Sequence, residues 1–376
     1  MPKIGIMSMQ RVANYGSFLQ AFALKGMLEE MGHSVEFVDY CTTDGMNAPS
    51  NTLQPRTWKD RGKIFFADHM KTLARYNTKI RLKCNGIQCD DLFHRRFTEE
   101  FIPMLGISSQ RNEHAEVDTL VIGSDEVFNI MHNSMELFGE YHQAKRLISF
   151  AASFGNTDFH HIVEAGLVGP LRERFSNFDA ISVRDKNSVE IIEKLSDGTI
   201  TPNCHLDPVF HFDYSSYIPK IKVRQKYIAI YAYSNIPKKI QTSIRDFAEI
   251  RHLDILCLQG YQGELGTFMN INPFEVLAYI KNADFLVTTT FHGCVIGAKY
   301  NKQMAVYVTK RDHEAYNNES KLGDLVTKLG LSDHVFTDGN DLADTLNNPI
   351  DYKKVNSIIS KEAKRGWEYL AESVRG

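Results

Sequence analysis

No apolar run in the sequence approaches the roughly 18 residues a membrane-spanning helix needs, so no such span is expected. A basic stretch followed by an apolar one is also missing from the start, where Met1–Lys3 runs straight into a strand-like segment; no signal peptide is expected. The six cysteines, Cys41, Cys84, Cys89, Cys204, Cys257 and Cys294, form no Cys-x-x-Cys pair. They read as reduced, mostly buried thiols of a cytoplasmic protein rather than as a disulfide framework or a zinc site. Charge of one sign is not in excess either: the net charge is −3, which gives no overall attraction to nucleic acid. What the chain has is length and apolar content. Its 376 residues, 43% hydrophobic, suffice for two domains with cores of their own.

The pattern of apolar residues is α/β throughout. Lys3–Ser8 reads as a strand, Ser17–Met31 as a helix stopped by Gly32, and Ser34–Tyr40 as the next strand. Residues 41–117 break the rhythm and read as a helical insertion. Its Arg56–Arg96 stretch holds eleven Lys or Arg against four Asp or Glu, a solvated hairpin or a peripheral contact for an anionic membrane. Strands follow at Asp118–Ile122, Leu147–Ala152 and Ala180–Val183, with a helix around His160–Phe175 and another from Asp185, its N-cap, to Leu195. Polar residues 211–225 read as a linker. A second series then runs from strand Tyr227–Tyr233 to helix Ser320–Leu329, and Tyr352–Val374 forms a long helical tail. The expected architecture is two Rossmann-like doubly wound domains facing across a cleft, residues 1–212 and 226–350. The helix of 351–376 is expected to return to the first domain. Ligands of such sheets sit beyond the carboxyl ends of the strands.

Four stretches with polar chemistry stand at strand ends. In Asn14-Tyr15-Gly16-Ser17, Gly16 allows close backbone approach and Ser17 can cap the helix, whose free N–H groups suit an anion; a simple capped loop is the alternative. In Gly123 to Asn129, Asp125 and Glu126 can act as a base or hold sugar hydroxyls, flanked by Ser124 and Asn129 as acceptor contacts; a capped turn is the alternative. No second acidic cluster supports a metal site. Arg184, between a strand and a helix N-terminus, suits a carboxylate or phosphate. His292 in Thr288-Thr289-Thr290-Phe291-His292-Gly293 opens a helix, where the dipole favours the neutral imidazole a proton shuttle needs, and Gly293 clears space for a ligand.

Taken in order, these pieces resemble the polysaccharide pyruvyl transferase family. The matching stretches are Asn-Tyr-Gly-Ser at 14–17, Gly-Ser-Asp-Glu-Val-Phe-Asn at 123–129 and Ser-Phe-Ala-Ala-Ser-Phe-Gly at 149–155. They continue with Ile-Ser-Val-Arg-Asp at 181–185, Leu-Asp-Pro-Val at 206–209, Thr-Thr-Phe-His-Gly at 289–293 and the Lys-Leu-Gly-Asp stretch at 321–331. The resemblance implies a fold like the GT-B glycosyltransferases and phosphoenolpyruvate in the cleft, with Arg184 and His292 at the donor. It further implies Lys321, Thr290, Gly293, Asn14, Gly16 and Ser17 as donor contacts, and His292, Asp125 and Glu126 as the catalytic set. Many members carry a basic residue where Thr290 stands, Arg in place of Lys321, and Gln and Trp in place of Glu126 and Phe128. The implied product is a pyruvate ketal on a sugar of a cell-surface polysaccharide, such as a capsule or exopolysaccharide, or of its lipid-linked precursor. No cofactor is expected. The alternatives are a nucleotide-sugar glycosyltransferase of the same architecture and a non-catalytic carbohydrate-binding protein.

Overall fold

The computed structural model describes residues 2–41 and 89–375, apart from 114, 133, 141–142, 224, 234–235, 309–318 and 338–341. Two parallel six-stranded sheets carry the fold. The first comprises β1 (Lys3–Met7), β2 (Ser34–Phe37), β3 (Thr119–Asp125), β4 (Arg146–Ala152), β5 (Ser182–Val183) and β6 (Asn203–Cys204), in the order β2-β1-β3-β4-β5-β6. The second comprises β7 (Tyr227–Tyr231), β8 (Asp254–Cys257), β9 (Thr267–Phe268), β10 (Phe285–Thr288), β11 (Met304–Tyr307) and β12 (Val335–Phe336), in the order β12-β11-β10-β7-β8-β9. The second order is that of a dinucleotide-binding Rossmann sheet. Every pairing is parallel, and the central strands are apolar on both faces, as sheets covered by helices on both sides require.

The first helix, α1 (Tyr15–Glu30), explains how the halves join. It is apolar nearly all round, and a helix of that kind is buried on all sides. One side lies on the first sheet. On the other, Phe18 and Phe22 meet Phe274 of the helix Pro273–Asn282 edge-on, at 5.7 and 5.0 Å. One apolar cluster therefore runs from Ile4 and Ile6 through α1 to Leu277, Ile296 and Leu370.

Several elements differ from the expectation. The single helix expected at 160–175 is two, Phe159–Glu164 and Val168–Phe175, because Gly166 adopts a positive φ of 69° between them. The linker expected at 211–225 starts inside the core. Phe212 and Tyr214 are buried, and the Tyr214 hydroxyl donates to the Leu19 carbonyl at 2.7 Å. Its polar composition reflects exposed residues such as Asp213, Ser215, Ser216, Lys220, Lys222 and Gln225. Of the basic Arg56–Arg96 stretch, residues 56–88 lie outside the described residues. Cys89–Arg96 is helical and continues through a π turn, Phe97–Phe101. Among the described residues, no helix is long and apolar enough to cross a membrane.

The last helix, Tyr352–Arg375, touches both halves. The Tyr352 hydroxyl donates to the Lys302 carbonyl in the second, and the Tyr369 hydroxyl to the Ser149 carbonyl in the first, at 3.0 Å. Beneath it, His205 lies between Phe150 and Tyr369, with Nδ1 2.8 Å from the Ser182 hydroxyl. Burial pushes its imidazole down to about 4. An unfolded histidine titrates near about 6.5, so between these values the unfolded chain binds the extra proton. Stability is expected to fall as pH drops from about 6.5 to 4, and His205→Gln should flatten that dependence in thermal melting. His211, also pushed down by burial, retains part of the slope in the variant.

Candidate functional site

Each sheet has a switch point, where the chain leaves one strand in one direction and later returns on its other side. In the first sheet it lies between β1 and β3; in the second, between β7 and β10. The ends of these strands, and the loops and helix starts that follow them, carry Asn14, Gly16 and Ser17, Asp125, Tyr233, and Thr290 with His292. The two switch points face each other. Asn14 Nδ2 donates to the Tyr233 hydroxyl at 2.9 Å, and the Tyr15 hydroxyl donates to the Ile271 carbonyl at 2.7 Å.

Arg184 follows β5, and its side chain is 1% exposed. Its Nη1 donates to Asp207 Oδ2 at 2.8 Å and its Nη2 to Asp125 Oδ1 at 3.0 Å, while Nε is buried without a hydrogen-bond partner. The guanidinium lies 4.2 Å over the Phe291 ring. His292 reaches in from the second half. Its Nε2 stands 3.4 Å from Asp207 Oδ2, close enough for charge attraction but without hydrogen-bond geometry. The imidazole and the guanidinium thus converge on one carboxylate, itself wholly buried and anchored through Oδ1 by the Val209 N–H at 3.1 Å.

The imidazole is seated against α1 at Gly16. A Cβ added there would lie 2.2 Å from His292 Nδ1, so only glycine admits the ring. Asp125 completes the cluster, taking a hydrogen bond from the Ser17 hydroxyl at 2.7 Å. Its backbone has φ 76°, a conformation side chains rarely adopt. Burial pushes the Asp125 and Asp207 carboxyls up, but Arg184 and His292 outweigh it and hold both below the ordinary range. The carboxylates in turn raise the guanidinium further against burial. Glu126 pairs across the halves with Lys321, and Asp324 accepts from the Lys186 N–H at 3.0 Å.

Other expected site residues do something different. The cap of α1 is Asn14, not Ser17: its Oδ1 accepts from the N–H groups of Gly16 and Ser17 at 2.7 and 3.3 Å, leaving these donors occupied. Thr290 caps the His292 helix, accepting from Gly293 N–H at 3.0 Å. Gly293 clears no ligand space, because its missing side chain is replaced by the Thr288 hydroxyl, 2.0 Å from where a Cβ would stand, and by Tyr231. Ser124 donates inward to the Ala151 carbonyl at 2.7 Å. Asn129 accepts from the Thr157 hydroxyl and the Met131 N–H, both at 3.0 Å. Asp207, in the Leu-Asp-Pro-Val stretch and outside the expected site residues, also caps the short helix Pro208–His211. A groove of about 560 Å³ lined by Phe159, Glu190 and Lys194 lies elsewhere. Among the described residues, no group of three or more metal-binding side chains occurs.

A sequence model of polysaccharide pyruvyl transferases matches residues 14–311. The chain belongs to the polysaccharide pyruvyl transferase family. The family match spans both switch points and every residue of the cluster except Lys321. No curated relative matches the chain in sequence. Among solved structures it is similar to the UDP-GlcNAc 2-epimerase of Neisseria meningitidis bound to UDP-GlcNAc, at 10% identity and TM-score 0.46, covering 100% of this chain and 99% of that one. It is likewise similar to the Streptomyces sp. SF2575 glycosyltransferase SsfS6 complexed with thymidine diphosphate, at 12% identity and TM-score 0.46, covering 97% and 96%. These likenesses say nothing of the substrate of this pyruvyl transferase family member.

Replacing Gly16 with Ala is expected to push the imidazole away. Overpacking of this kind costs about 1–3 kcal/mol, and a displacement near 1 Å lowers turnover roughly 100-fold. Denaturant unfolding beside an activity assay checks both.

Proposed function

We propose that the chain transfers the enolpyruvyl skeleton of phosphoenolpyruvate to a sugar as a pyruvate ketal. The acceptor is a sugar of a cell-surface polysaccharide or its lipid-linked precursor, and the reaction takes place in the cytoplasm. The observation that supports this most is the meeting of His292 and Arg184, from opposite halves, at facing switch points. Family membership supports the transfer of a group to a polysaccharide.

The chemistry needs a proton for the donor methylene, a base for the sugar hydroxyl, and cations for a carboxylate and a phosphate. Protonation of the methylene carbon places positive charge at C2. A sugar hydroxyl attacks C2 and yields its proton to the base, phosphate leaves with the C–O bonding pair, and a second hydroxyl closes the ketal as its proton passes to the departing phosphate. His292 stands on the second half, whereas Asp207, Arg184, Asp125 and Gly16 stand on the first. All are buried here, Asp125 least completely, so substrate entry requires the halves to part. Parting frees His292 Nε2 from Asp207 to serve as acid or base. It also breaks the Lys321–Glu126 pair, making the ammonium available to phosphate and the carboxylate to the sugar.

The test is phosphate release from phosphoenolpyruvate over a panel of simple and lipid-linked glycosides. His292→Ala is expected to lose about 10²- to 10⁴-fold in turnover, the usual contribution of a positioned acid or base, while melting cooperatively. Near-normal ketal formation by a folded variant removes the imidazole from the mechanism. Calorimetric binding of UDP-sugars without phosphoenolpyruvate binding points instead to glycosyl transfer, and sugar binding with no phosphate release to a non-catalytic protein.

A further inference from the structure

The guanidinium of Arg184 is not ready for a donor in this structure. Its Nη1 is committed to Asp207 and its Nη2 to Asp125. The unusual feature is Nε, buried and unpartnered beside Nη2. Nε–H and Nη2–H point the same way and form the edge that grips a carboxylate with two parallel hydrogen bonds. Asp125 uses one half of that edge and leaves the other unmatched.

We propose that Asp125 is an internal placeholder for the donor carboxylate: the donor takes the Nε–Nη2 edge of Arg184, and the Asp125 carboxylate it displaces becomes the base for the sugar hydroxyl. This rests on phosphoenolpyruvate being the donor.

The two aspartates differ in how firmly they are held, which decides the one that yields. Asp207 is wholly buried, bonded to the Val209 N–H, and caps the turn Pro208–His211. Asp125 is 10% exposed on its side chain, sits at a positive φ, and keeps one other hydrogen bond, from the Ser17 hydroxyl, among the described residues. Exchange replaces one single hydrogen bond to a carboxylate by two, so the guanidinium loses nothing. The groups that interact with Asp125 are Arg184, His292, Lys321, Glu126 and the Ser17 hydroxyl, with Tyr40 and His132 also within reach of its charge. A carboxylate pinned by a guanidinium is a very weak base. Released beside an anionic donor and Glu126, it becomes a stronger one, and the proton of the attacking hydroxyl passes to it. The base is then made only after the donor has bound, which imposes an order on the substrates.

The experiment titrates phosphoenolpyruvate into the full chain by calorimetry, for wild type, Asp125→Asn and Asp125→Ser, with melting curves for each. Removing the competing carboxylate is expected to tighten donor binding roughly tenfold while turnover falls roughly 100-fold or more. A merely structural aspartate would weaken or leave binding unchanged. A folded variant that binds the donor no more tightly than wild type overturns the exchange and leaves the donor assignment standing. Wild type that binds no phosphoenolpyruvate overturns the donor assignment and the exchange together. A measurement on wild type stands beside these. With ¹³C at the aspartate carboxyls, one resonance that stays ionised across the acid range should become titratable at higher pH once phosphoenolpyruvate is bound. Aspartate titrations identical with and without bound donor overturn the proposal.

Discussion

The carboxylate of Asp207 is the constraint from which the rest of the site follows. It is wholly buried, and a buried charge is tolerable only when opposite charge and hydrogen bonds surround it. Arg184 supplies the first, and the Val209 N–H one of the second. With Arg184 fixed in this way, its free amino end falls on Asp125, and Asp125 in turn orients Ser17 at the start of α1. From the other half His292 closes the same carboxylate from above, which brings the imidazole down onto α1 where only Gly16 leaves room. Breaking such a cluster by removing one partner typically costs about 3–5 kcal/mol, so it holds the halves together as well as positioning chemistry.

Much of this architecture is legible in the sequence. The central strands announce themselves as short apolar runs, and α1 as a helix with apolar residues on every side. The loops that matter are legible because small, acidic and basic residues follow buried strands: Gly-Ser-Asp after β3, Arg after β5, Thr-Thr-Phe-His after β10. Edge strands β9 and β12, two residues each, are too short to show alternation. Composition misleads at 211–225, where the many exposed polar residues hide that Phe212 and Tyr214 belong to the core.

The side-chain roles were less legible, for one physical reason. Sequence shows that a group can donate or accept, not which neighbour has taken it. Ser17 reads as a cap, yet the helix starts two residues earlier and Asn14 caps it, accepting from the Gly16 and Ser17 N–H groups. Gly293 reads as space for a ligand, yet Thr288 and Tyr231 of the same half fill it, while Gly16, far away in sequence, is a glycine whose absent side chain admits the His292 ring. Asp207 looks like the first residue of a turn and is that, with its second oxygen left over for Arg184 and His292.

The helix Tyr352–Arg375 has a consequence for how a bulky acceptor arrives. Its 24 residues extend about 36 Å, with one tyrosine fastened to each half. A brace anchored at both ends opposes drawing the halves straight apart, since that breaks one of its anchors. A parting that keeps both anchors is a swing, like covers about a spine, and a swinging aperture is a wedge: narrow near the brace and wide at the far lip. On the proposed function, the narrow part would take the small anionic donor and the wide lip the chain of sugars.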